Sequence, residues 1–107
     1  MWFVFPQIQG LGSSSMAQRF ALSGIEEAKA YLAHPVLGGR LRECTALVNA
    51  VVDRPIDDIF GYPDDLKFHS SVTLFARAAD GPSLFADALT KYFNGVPDRA
   101  TLDRLPD

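Results

Sequence analysis

Apolar side chains recur along this chain at steps of three and four residues, and no useful length alternates with a period of two. That periodicity predicts helices throughout. The run that reads as the most buried helix covers residues 63–79, PDDLKFHSSVTLFARAA. At about 100° per residue, Phe68, Val72, Phe75, Ala76 and Ala79 share one arc, while Leu74 and Ala78 fall elsewhere. A helix that is apolar on more than one side needs neighbours on several sides, so this segment is predicted to be the central one. Its start is marked by Pro63, which has no N–H to lose in a first turn, and by Asp64 and Asp65, whose carboxylates suit the positive end of the helix dipole.

The flanking pattern predicts shorter helices. Ser23 and Glu26 have the spacing of a capping box, which opens a helix over about residues 24–33 with Ile25, Ala28 and Leu32 inward. His34-Pro35 closes it and opens the next, whose stripe is Leu37, Leu41, Cys44, Val48 and Val51. Gly38-Gly39 in its first turns implies a close backbone crossing or a delayed start. Pro55 opens a short turn of helix with Ile56, Ile59 and Phe60 inward and Gly61 as its cap. After a break at residues 80–82, Leu84, Phe85, Ala88, Leu89, Tyr92 and Phe93 form another amphipathic helix, stopped at Asn94-Gly95. Asp98 caps a last short helix. A further short helix is expected over residues 16–22, after a Gly/Ser-rich loop at residues 10–15. Pro35, Pro55, Pro63, Pro82 and Pro97 each stand at or near a helix start. The expectation is an all-α fold: a compact array of five to six short helices around the central one, in a single domain spanning residues 1–107. Trp2, Phe3 and Phe5 are expected in the core, with a helix end and a strand both open for residues 1–9 and Pro6 ending either near Phe5.

Composition narrows the function classes. The 107 residues are 48% hydrophobic and 21% charged, with a net charge of −3. No apolar run approaches the ~20 residues of a membrane span, and Lys and Arg are scattered, so neither membrane insertion nor nucleic-acid binding is expected. One cysteine and two histidines give no disulfide framework and no metal-ligand spacing. A cytoplasmic location without metal or cofactor is the default that follows. The glycines at residues 10–12 lack the following Gly-Lys-Ser/Thr of a phosphate loop.

On the central helix, Leu66, Ser70, Thr73 and Arg77 stack along one line, with Lys67 beside Ser71. Short hydroxyls in such a row serve either close helix packing, by bonding back to a preceding carbonyl, or a ligand. His34 is expected to cap the following helix or sit in a pocket. Cys44, on an apolar stripe, is expected to be inert.

Four blocks, MWFVFPQIQGLGSSSMAQRF, AKAYLAHPVLGGRLRECT, IFGYPDDLKFHSSVTLF and ALTKYFNGVPDRATLDRL, resemble successive parts of the domain-of-unknown-function 1810 family. That family is also met under the label calpastatin, although no residue here supports inhibition of a calcium protease. The resemblance implies a small, mainly helical bacterial protein with no established activity. Residues matching the family pattern include Trp2, Phe5, Pro6, Gln7, His34, Pro35, Gly61, Asp64, Lys67, Ser70, Thr73 and Phe75. It also implies a further arm of a few dozen residues ahead of Met1, carrying a helix and polar groups. Phe20 stands where the pattern leads to tyrosine.

Two functional expectations follow. In one, a small anionic or nucleotide-like ligand binds where Gln7, Lys67, Ser70 and Thr73 converge, with Trp2, His34 and Asp64 as further candidates and Asp64 or Asp65 as the carboxylate if a glycosidic bond were cut. A distant likeness to the ADP-ribose-processing NADAR proteins points to the same ligand class. In the other, the protein is a non-enzymatic interaction module, and Trp2, Phe3 and Phe5 line a groove for a partner helix or a second copy.

Overall fold

The computed structural model describes residues 5–7, 21–79 and 81–105. Among them are six helices and no strand: α1 (Ile25–Ala33), α2 (Leu37–Asn49), α3 (Ile56–Phe60), α4 (Asp64–Ala79), α5 (Leu84–Phe93) and α6 (Arg99–Asp103). The all-α expectation holds, and so does its centre. Helix α4 packs against α1, α3, α5 and α6, while α2 bridges α1 and α5.

Burial along α4 explains why so many neighbours gather there. Phe68, Val72, Leu74 and Phe75 are all fully buried: three of them share one arc of the helix, and Leu74, with the buried Ala78, lies on another side. Phe68 is an aromatic hub near its first turns, with ring centroids at 5.0 Å from Phe5, 5.1 Å from Phe60 and 6.3 Å from Phe93. Two turns later Phe75 lies 5.6 Å from both Tyr31 and Phe85, which joins α1 and α5 to the same rod. Each such ring removes a large apolar area from water, and truncating one to alanine typically costs about 3–5 kcal/mol.

The helix ends follow the punctuation of the sequence, with local corrections. Pro35, Pro55, Pro63, Pro82 and Pro97 each lie one or two residues before a helix. Asn94 takes the left-handed conformation that ends α5, and the Asp98 carboxylate accepts the Thr101 N–H at 3.1 Å to start α6. The capping box does not form: Gly24 occupies the cap of α1, and the Ser23 hydroxyl donates to Glu27 at 2.6 Å instead. The stripe on α2 keeps Leu41 and Val48 in the core, with Cys44 packed at its edge, and is widened by Gly38 and Thr45. Cys44 is half-buried, whereas Thr45 is fully buried with its hydroxyl donating to the Leu41 carbonyl at 2.8 Å. Val51 lies beyond the helix end.

Gly38 marks a close crossing of α1 and α2, because a Cβ built there would sit 2.1 Å from the Leu32 carbonyl oxygen. Gly39 has open space around it. The helix expected over residues 16–22 does not reach its end: Leu22 is not helical, and its N–H donates to the Gln7 carbonyl at 2.8 Å. Residues 16–20 of that segment lie outside the described residues, as do Trp2, Phe3, Phe20 and the loop at residues 10–15.

Candidate functional site

The polar line on α4 divides into a buried middle and wet ends. Ser70 and Thr73 are buried, while Leu66 and Arg77 are exposed. The hydroxyls of both buried residues return to their own helix, Ser70 to the Lys67 carbonyl at 3.0 Å and Thr73 to the His69 carbonyl at 2.8 Å. Each also accepts a hydrogen bond from another part of the chain. The Gln7 carboxamide donates to Ser70 at 2.6 Å, and the backbone N–H of Asp98 donates to Thr73 at 2.9 Å. A hydroxyl donates once and accepts readily, so both are well satisfied by the protein itself.

The expected convergence is therefore partial. Gln7 and Ser70 meet where the segment at residues 5–7 crosses the first half of α4, and of Lys67 it is the backbone carbonyl that Ser70 reaches. Thr73, one turn further on, is joined to the entry of α6. Lys67 forms an i, i+3 pair with Asp64 at 3.6 Å, with its side chain 24% exposed against 43% for the carboxylate. Asp65 turns to the backbone, where its carboxylate accepts the Leu66 N–H at 2.9 Å.

His34 lies apart from this cluster in the turn between α1 and α2, and it is exposed. Its Nδ1 accepts the N–H groups of Val36 at 3.2 Å and Leu37 at 3.1 Å. The expected capping role is thus the one its geometry performs. Phe5 is 5% exposed and wedged edge-on between Phe60 and Phe68. Trp2 lies outside the described residues.

Three polar features escaped the sequence reading. His69 stacks on Phe93 with 3.9 Å between ring centres and bonds the Val96 carbonyl at 2.8 Å through Nε2. Lys91 donates to the Asn49 and Val51 carbonyls at the end of α2, and Tyr92 donates to the Val48 carbonyl. Around that corner lies a cleft of about 530 Å3 walled by residues 53–57 and α5. Adjacent charges beside Pro55 were the available signal for the cleft. The carbonyl partners of Lys91 and Tyr92 left no signal, because backbone groups are anonymous in a sequence. No group of three or more His, Cys, Asp or Glu able to hold a metal occurs among the described residues. No helix among them is long and apolar enough to cross a membrane. Burial pushes the Tyr31 phenol above its ordinary pKa, an effect partly opposed by the Arg40 guanidinium.

The chain belongs to the family described as protein of unknown function DUF1810, whose model matches residues 1–105. It is similar to a solved structure, that of the conserved hypothetical protein Rv1873 from Mycobacterium tuberculosis. The two share 58% sequence identity and a TM-score of 0.94 over 97% of this chain and 74% of the other. No curated protein matches the chain.

Proposed function

We propose that the protein binds a small anionic, nucleotide-like molecule at the first half of α4. The observation that supports this reading is the 2.6 Å bond from Gln7 to Ser70, which brings a carboxamide from the start of the chain onto the turn of α4 that also carries the three-quarters-buried Lys67. In that arrangement Lys67 supplies the charge, Gln7 supplies a directional amide, and Ser70 fixes the angle of Gln7. Thr73 serves the fold rather than the ligand. Asp64 orients Lys67 in the unliganded protein and is the nearest carboxylate should the ligand be processed.

The test is isothermal titration calorimetry of the full chain with inorganic pyrophosphate and with adenosine diphosphate. Saturable binding that Lys67→Met weakens at least about tenfold is expected, since a charge contact inside a partly enclosed site is worth more than one in bulk water. Heats that do not saturate, or that are the same in the variant, would remove the reading.

A second reading, a non-enzymatic interaction module, is favoured by one feature. Tyr62 and Leu66, four residues apart at the entry to α4, are 82% and 52% exposed. Light scattering checks it for self-association: mass that rises with concentration and falls in Tyr62→Ser is the expected result, and a constant monomer mass counts against it.

A further inference from the structure

We infer that the cleft between residues 53–57 and the end of α5 is a separate binding site, for a small zwitterion of the free amino acid class. Its volume of about 530 Å3 lies within the ~300–1,000 Å3 range of small-molecule pockets. The charged groups lining it are Asp53, Arg54, Asp57 and Lys91, and Pro55, Ile56 and the Tyr92 ring supply the apolar surface.

Two of the polar groups are already engaged and make the wall firm. The Lys91 ammonium donates to the carbonyls of Asn49 and Val51 and lies 5.3 Å from the Tyr92 ring centre. The Tyr92 hydroxyl donates to the Val48 carbonyl. Asp53, Arg54 and Asp57 remain. None of them takes part in a salt bridge among the described residues, although both signs of charge face the same hollow.

Opposite charges that share a cleft without pairing are complementary to a molecule that carries both signs. The ammonium of an amino acid would meet Asp53 and Asp57, and its carboxylate would meet the planar fork of Arg54. An aliphatic side chain would then lie on Pro55 and Ile56. A simple anion would face two carboxylates, and a simple cation would face Arg54 and Lys91, so each is disfavoured by like charge. This site shares no residue with the Lys67 cluster, and either can fail without the other.

The experiment is a two-dimensional NMR titration of the full chain with leucine, chosen for the aliphatic floor, and separately with isovalerate and isoamylamine, which each keep one of its charges. Leucine is expected to shift the amides of residues 53–57 and 91–92 saturably, at least about tenfold more tightly than either analogue. Arg54→Met should reduce leucine to the level of the amine, and Asp53→Asn with Asp57→Asn should reduce it to the level of isovalerate. All three residues are exposed, so the unchanged remainder of the spectrum reports that the variants fold. Absence of saturable shifts with leucine, equal affinity for all three compounds, or binding that these substitutions leave unchanged would overturn the assignment.

Discussion

The backbone N–H of Asp98 donates to the Thr73 hydroxyl at 2.9 Å, so the start of the last helix hangs from the middle of the central one. Thr73→Val keeps the shape and removes the acceptor, which leaves a part-buried N–H without its partner. A loss of about 1–3 kcal/mol is expected, read from the urea midpoint. Thr73→Ser should retain most of the stability. Equal midpoints for Val and wild type would mean that the bond contributes nothing.

Ser71 offers the opposite case, because its hydroxyl is buried with no hydrogen-bond partner among the described residues. Ser71→Ala removes a desolvated polar atom and is expected to be neutral or stabilising by up to about 1 kcal/mol. Ser70→Ala, which strips the acceptor from Gln7, should destabilise by about as much. Thermal unfolding of the pair settles the order, and a reversed order would contradict the assigned partners.

The two adjacent glycines of α2 separate packing from propensity. Gly38→Ala drives a methyl into the Leu32 carbonyl and should cost about 1–3 kcal/mol as α1 and α2 move apart. Gly39→Ala meets open space in a helix and should stabilise by about 0.5–1 kcal/mol. Denaturant midpoints that move in the same direction would rule out this account of the crossing.

Tyr31 is expected to make stability fall with rising alkaline pH. Its phenol loses a proton less readily in the folded chain than at the ordinary value of 10.0, because burial opposes the phenolate more than Arg40 favours it. The unfolded chain therefore releases the proton first. The associated stability is full below that ordinary value and is lost as pH rises through the folded one. Tyr31→Phe should flatten the fall of stability above about pH 10, and an unchanged alkaline slope would contradict the burial argument.

How much of this was legible in the sequence depends on whether a feature is local. Pro55, Pro63, Pro82, Asn94 and Asp98 act on their own few residues, and each marked a helix boundary that the structure keeps. The multi-sided apolar pattern of residues 68–78 likewise announced a helix with neighbours all round. The partners of Ser70 and Thr73 were not legible. One bond spans 63 residues and the other ends on a backbone N–H, and neither leaves a pattern in spacing. The α2 stripe missed the burial of Thr45 because a threonine that bonds back to its own helix can be buried as readily as an apolar residue. His34 was readable as a cap from its place before a proline. In the hydroxyl row on α4, both buried hydroxyls bond back to their own helix, and each accepts once more, Thr73 from the Asp98 N–H and Ser70 from the amide of Gln7.

Amide hydrogen exchange under native conditions tests the central role of α4 most directly. A helix packed against four others should open only when the whole chain unfolds, so the amides of residues 68–78 are expected to be the slowest and to share the free energy of global unfolding. The five-residue helices α3 and α6 should exchange earlier through local opening. Exchange in α4 as fast as in α3 or α6 would contradict the account.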